Sequence, residues 1–281
     1  MKHIKVLRTV LITGTLLFTS IPAYAAESGG VPQKIEDIAN GSDEVYGEGV
    51  PIVHGGNPNL RFKSGGKDHT HQYIVANALT ILTADQGSSI YNEEMNARLL
   101  MEATDWPDKL GNETDAGTFA GHFYDPDTGK NWLGQSSPTA RTRAEGYFET
   151  AVSKYQNGDI DGALDAIGKG THYVSDLNEP HHASNLTAIN SNHSAFEAYV
   201  DENRASYKID GNTFSGNVYQ DALSQDKGTL MYNAAKYAKG LASKAQQENT
   251  YAEAGEKSVE NAIKTVTQYL YKFGDTVGIY E

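Results

Sequence analysis

The stretch His172-Tyr-Val-Ser-Asp176-Leu-Asn-Glu-Pro-His181-His182-Ala-Ser-Asn185 constrains this chain more than any other. If the run up to Asp176 is helical, His172 and Asp176 stand at i and i+4 and project from one face, one turn apart. Pro180 ends such a helix and turns the chain, so His182 approaches from another backbone direction. His193-Ser-Ala-Phe-Glu197 repeats the device, with an imidazole and a carboxylate again four residues apart. One such pair is most often a solvated hydrogen bond, whereas two pairs within 26 residues are a means of holding cations. The chain has no cysteine, and nitrogen and oxygen ligands without thiolate are what zinc accepts when a coordination position stays open for water or substrate.

The lack of cysteine matters for compartment as well. Residues 1–25 read as a secretory leader: Lys2, Lys5 and Arg8 form the charged start, Val10 to Ile21 the apolar run, and Ala23-Tyr24-Ala25 the cleavage site. The apolar run is too short, and too interrupted by Thr, Gly and Ser, for a membrane span. An exported chain of 281 residues without disulfides relies on a hydrophobic core, with metal cross-links as reinforcement. Removing the leader's three positive charges takes the formal net charge from −13 to −16, which argues against nonspecific duplex DNA binding. Attraction for a phosphate must therefore be local.

Residues 26–60 hold seven Gly, six acidic residues and one Lys with little periodicity, and are expected to be a pro-segment or flexible linker. From residue 61 to 281 the pattern is almost wholly helical. Ile74, Ala78, Ile81 and Leu82 form one apolar stripe, with His71 beside it. A helix over Asn92 to Thr104 places Asp105 at its end, before Pro107. Gly111 to Gln135 reads as a long irregular segment carrying His122, and such a loop in a compact domain is usually functional. Ala144, Phe148, Ala151, Val152 and Tyr155 mark a helix stopped by Gly158, and Asp159 caps the next, whose Ile160, Leu164 and Ile167 face inward before His172. Ser191 is a plausible cap for the helix of His193 and Glu197, which runs toward Tyr207. Leu230, Ala234, Tyr237 and Leu241 mark another helix; Val259, Ile263, Val266, Leu270 and Phe273 mark the last, with Gly274 at its end. The expected fold is an all-α bundle, one domain over 61–281, with a multinuclear metal site between helices.

The run H-Y-x-small-D-L-N-x-P-x-H-A-x-N, followed by H-x-x-x-E, resembles the signature of the bacterial zinc-dependent phospholipases C of the phosphatidylcholine-cleaving type. Upstream, His71 in Thr-His-Gln-Tyr-Ile-Val-Ala-Asn-Ala, Asp105 in Ala-Thr-Asp-Trp, and Thr-Phe-Ala-Gly-His122-Phe-Tyr-Asp-Pro-Asp-Thr-Gly-Lys match further family segments in order, over about residues 67 to 205. Ser175 stands where the family usually has Gly or Thr. The resemblance implies three zinc ions: one held by Asp105, His122, His172 and Asp176, a second by His182, His193 and Glu197, a third by His71, a shared Asp176 carboxylate and the mature amino terminus. Three such ions against three carboxylates would leave a local charge of +3 where a phosphodiester could dock. Asp105 is then the candidate for orienting or deprotonating the attacking water, or is a ligand only. Trp106 and Phe119 match aromatic positions that line the family's choline pocket, and Asn185 matches an asparagine near the substrate.

The family's terminal Trp has no counterpart, since Trp occurs here only at 106 and 132. Cleavage near Arg61 or Phe62, substitution by His69 or His54, or a site of two ions would each accommodate this. The chain ends soon after its last helix, so the membrane-binding β-sandwich of the clostridial alpha-toxin relatives is expected to be absent. The expectation is a secreted, monomeric phospholipase C acting on a phospholipid membrane surface, with no nucleic acid as partner. The alternatives are a single-strand nuclease of the same fold and an inactive, metal-stapled extracellular binding module.

Overall fold

The computed structural model describes residues 29–47, 69–109, 111–115, 117–209, 214 and 217–280. The expected leader lies outside them, as do His54 and the possible cleavage region at Arg61 and Phe62. Among the described residues there are nine α-helices and no strand: α1 (Gln33–Ala39), α2 (Thr70–Gln86), α3 (Glu94–Thr104), α4 (Ala140–Gln156), α5 (Ile160–Asp176), α6 (His193–Asn203), α7 (Asn217–Ser224), α8 (Lys227–Ala245) and α9 (Tyr251–Val277). The all-α expectation holds. No helix of the described residues is long and apolar enough to cross a membrane.

The bundle is arranged around α5 and α9. The stripe Val259, Ile263, Val266, Leu270 and Phe273 is buried along α9, which packs on α2, α4, α5, α6, α7 and α8. Two glycines let α5 come unusually close to its neighbours. A Cβ on Gly168 would strike the Leu100 carbonyl oxygen of α3, and one on Gly170 would strike the Tyr269 hydroxyl of α9. That hydroxyl donates to the Ala144 carbonyl at 2.8 Å, so three helices are fixed relative to one another at one point. Local signals act as expected: Thr139 caps α4, Gly158 turns the chain at φ +81°, and Asp159 Oδ1 accepts from the Gly162 N–H at 3.0 Å to start α5.

Residues 29–47 depart from the expected flexible linker. Ile35 and Ile38 on α1 are buried against α2, together with Val31 and Tyr46. The Tyr46 N–H donates to Gln72 Oε1 at 2.8 Å, and Gln72 Nε2 donates back to the Tyr46 carbonyl at 3.0 Å. Arg204 donates to Asp43 Oδ1 at 2.7 Å, and His69 Nε2 donates to the Asp43 carbonyl at 2.9 Å. Four scattered apolar residues show no period in sequence; they become core only because α2 offers a complementary face. Two smaller differences follow from tertiary packing. The last helix runs past Gly274, which lies against the Tyr280 ring, and ends at Gly278 with φ +78°. Asn192 rather than Ser191 holds the cap position of α6, and α7 carried no strong sequence period.

Ile35→Ala removes a fully buried side chain, so it should lower unfolding free energy by about 2–5 kcal/mol in a denaturant titration. An unchanged midpoint would mean that 29–47 contributes nothing to the folded domain.

Candidate metal centre

The last turns of α5 are the platform of the site. His172 and Asp176 are buried one turn apart, with His172 Nε2 3.3 Å from Asp176 Oδ2. His172 Nδ1 lies 2.8 Å from the Thr104 carbonyl at the end of α3, which can only accept, so Nδ1 carries the proton and Nε2 is presented to the site. His122 enters from the 3-10 turn Ala120–His122, placing Nδ1 3.0 Å from His172 Nε2 and 2.9 Å from Asp176 Oδ2. His71 comes from the first turn of α2, its Nε2 4.0 Å from Asp176 Oδ1, its ring stacked on that of His172. Asp108, in the turn Trp106–Asp108, completes this wall at 3.4 Å from His172 Nε2 and 3.7 Å from His122 Nδ1.

A second cluster adjoins it. His182 Nε2 and His193 Nε2 are 3.1 Å apart, and Glu197 Oε1 is 2.8 Å from His193 and 3.4 Å from His182. Glu179 adds a carboxylate 3.9 Å from each of these two nitrogens. His182 Nδ1 is 3.0 Å from Asp176 Oδ1, so Asp176 links the two clusters. Three sets of donors each lie within 4.8 Å of one another: Glu179/His182/His193/Glu197, His71/His172/Asp176 and Asp108/His122/His172.

These donors fit zinc. Two nitrogens on one tetrahedral zinc at ~2.0–2.1 Å stand roughly 3.3 Å apart, close to both imidazole pairs here. The Oδ1 of Asp108 is buried without a hydrogen-bond partner beside two imidazoles, an arrangement that a cation satisfies. Without a cation the charges adjust among themselves. Burial opposes the charged form of His172, yet Asp108 and Asp176 outweigh it and lift the imidazole to about 9. Burial likewise opposes charge on His182, but Asp176 carries it well above the usual histidine range. Asp176 is held well below the usual carboxylate range, its burial outweighed by His172, His182 and His122. Burial and repulsion from His172 press His71 down to about 4.

Seven of the eight expected ligands fall in the three donor sets, Asp105 does not, and Asp108 and Glu179 are there in addition. Asp105 is buried at the end of α3 but accepts a hydrogen bond from Gln72 Nε2 at 2.5 Å and belongs to none of the three donor sets. Burial pushes its carboxyl up to about 7, with the Gln72 bond opposing and Asp108 assisting. Asp108 stands beside the histidines instead, since the tight turn Trp106–Asp108 around Pro107 brings its carboxylate back toward α5. That Pro between two acids was the available signal. Glu179, which stands in the second donor set, was not singled out from sequence, although it follows Asp176 by three residues.

The expected substrate contacts are placed unevenly. The half-buried Phe119, in a left-handed conformation at φ +52°, sets its ring 5.4 Å from that of His122. Trp106 has one ring face covered by the Lys169 ammonium, 4.1 Å from the centroid, leaving at most the other for a headgroup. Asn185 donates to the Lys130 carbonyl at 3.2 Å, tying two loops beside the site. His69 lies against Asp43 and Asp201 and belongs to none of the three donor sets.

The family model for zinc dependent phospholipase C matches residues 70–248. A phospholipase C of Paraclostridium bifermentans is 28% identical over 243 residues, covering 76% of this chain and 61% of that protein. One of Bacillus cereus is 30% identical over 194 residues, covering 64% of this chain and 65% of that protein. Among solved structures, an alpha toxin from Clostridium absonum superposes with a TM-score of 0.67 at 28% identity, covering 74% of this chain and 64% of that one. The chain thus spans under two thirds of the length of these relatives.

Because His172 is raised to about 9 and Asp176 holds His182 well above the usual histidine range, both hold a proton near neutral pH that a metal must displace. Zinc binding should therefore release about one proton or more per protein and weaken as pH falls. Calorimetric titration in two buffers of different ionisation enthalpy reads this directly, and identical heats in both would refute it.

Proposed function

The chain belongs to the zinc-dependent phospholipase C family, and on that premise we propose that it hydrolyses phospholipid, phosphatidylcholine foremost, to diacylglycerol and a phosphorylated headgroup. The observation that carries the reading is the joining of three nitrogen and oxygen donor sets through one buried carboxylate, Asp176, in a single wall of the bundle. Zinc bound to these sets supplies Lewis acidity and charge neutralisation for a phosphodiester.

The chain's own residues set how strong that centre is. Asp108, Asp176, Glu179 and Glu197 bring four negative charges to the donor sets, so three divalent ions would leave +2 rather than the +3 expected from sequence. A centre of that sign on a chain of net charge −13 attracts an anionic phosphate at short range while the surface around it does not. Asp108 is the carboxylate we place beside the attacking water, and Asp105 is a positioning residue, tied to α2 by its Gln72 bond and preceding the turn that carries Asp108. Phe119, and the uncovered face of Trp106, would take the apolar methyl groups of a choline headgroup. Asn185 would hold the Lys130 loop against the substrate.

Action on a membrane surface is supported by two exposed apolar side chains, Leu133 and Ile189, on the segments joined by the Asn185–Lys130 bond. We further propose export through the leader at 1–25 and action as a monomer.

The secreted protein should release diacylglycerol from phosphatidylcholine vesicles, lose that activity to a chelator and regain it with zinc. Degradation of single-stranded DNA with lipid untouched would overturn the lipase reading in favour of a nuclease. Asp108→Asn should reduce turnover ~100-fold or more and weaken zinc binding, whereas Asp105→Asn should keep its zinc and lose less. Equal retention of zinc and activity in Asp108→Asn would remove that residue from the centre.

A further inference from the structure

We propose that Glu179 is a fourth side-chain ligand of the ion at His182, His193 and Glu197, closing that ion to water and substrate and leaving the chemistry to the Asp176-centred wall. The inference rests on the zinc-site reading above but not on any lipid being the substrate. Glu179 sits in the turn between α5 and His182, directly before Pro180, where the backbone direction is fixed. Its carboxylate is held from two sides. Oε2 accepts the His182 backbone N–H at 2.6 Å, and Oε1 lies 2.8 Å from Nδ1 of the buried His181. His181 is itself anchored, its Nε2 3.1 Å from Asn192 Oδ1, whose amide nitrogen donates to the Ala245 carbonyl at 3.1 Å. An acidic side chain fastened this way is not a surface group that drifts near the imidazoles. It is a preoriented donor whose Oε2 stands 3.9 Å from both ligand nitrogens.

Two imidazoles and two carboxylates make a complete tetrahedral set, and a zinc site with four protein ligands has no vacant position. The two charges of Glu179 and Glu197 would also cancel those of a divalent ion, so this centre offers a phosphate no net attraction. By contrast, the other two sets both count His172, whose single free nitrogen can hold only one ion, so neither set closes an ion and positions stay open there. The division of labour follows from ligand count: the closed ion pins the start of α6 to the segment after α5, and the open wall binds and activates.

Cobalt substitution tests this without an activity assay. In the wild-type protein one cobalt ion should keep the intense visible absorption of a four-coordinate centre when inorganic phosphate is added, while the remaining cobalt responds. Glu179→Gln should lose affinity for one ion by about 10- to 100-fold and convert that signal to the weaker absorption of a hydrated centre. His181→Gln removes the buttress yet keeps the carboxylate, so its cobalt spectrum should stay four-coordinate. The proposal is overturned if phosphate perturbs every cobalt ion in the wild type, or if Glu179→Gln binds metal with unchanged affinity and spectrum. It also fails if His181→Gln reproduces the full effect of Glu179→Gln, since the carboxylate would then act only as a hydrogen-bond partner. A protein that binds metal as described but leaves lipid intact would defeat the functional reading and not this one.

Discussion

The Asp176 carboxylate is the interaction on which the structure depends. It is buried, and its two oxygens lie 2.9 Å from His122, 3.0 Å from His182 and 3.3 Å from His172, with His71 at 4.0 Å. A carboxylate taken out of water is costly unless it is paired and hydrogen-bonded, and removing its partners leaves an uncompensated charge. Imidazoles arriving from different stretches of chain meet this need, and a cation shared among them meets it better. One acid therefore ties α2, the 111–122 loop, α5 and the segment after Pro180 to a common point. Close packing of Gly168 and Gly170 against α3 and α9 prevents that point from drifting.

The loop that delivers His122 has its own support, since its described residues hold no helix longer than one turn. Arg143 of α4 is buried between Glu113 and Asp115, 3.4 Å from each, and donates to the Tyr173 hydroxyl at 2.8 Å. Tyr173 and Tyr147 both donate to Glu113 Oε1, at 2.5 and 3.1 Å. A Cβ at position 121 would collide with the Arg143 guanidinium, so Gly121 and Arg143 are one device. It fixes the backbone immediately before a ligand that local structure alone could not orient. A chain without disulfides gains rigidity here from buried polar pairs and helix packing.

Much of this was legible in the residues. The pairs His172/Asp176 and His193/Glu197 are local, and helical spacing places each on one face before any tertiary contact exists. The stripes of α2, α4, α5, α8 and α9 follow from the same period. What could not be read was which of two nearby acids turns inward. Asp105 and Asp108 are three residues apart around Pro107, and the choice depends on Gln72, a residue of another helix that takes the first and leaves the second for the histidines. Glu179 was hidden for a like reason, because only the approach of α6 brings His193 within reach of it.

Residues 29–47 mark the boundary between the two kinds of information most clearly. Their apolar side chains are too few and too irregular to announce a helix, and only the shape of α2, with Gln72, His69 and Arg204 beside it, gives Ile35, Ile38 and Tyr46 somewhere to be buried. The sequence by itself determined the helical period, the family signature and the kinds of donor atom, since these depend on residues a few positions apart or on composition. The tertiary structure alone decided which donors share a point, because a meeting place within 4.8 Å is set by how helices pack, and packing is a property of pairs of surfaces that no single stretch of chain contains.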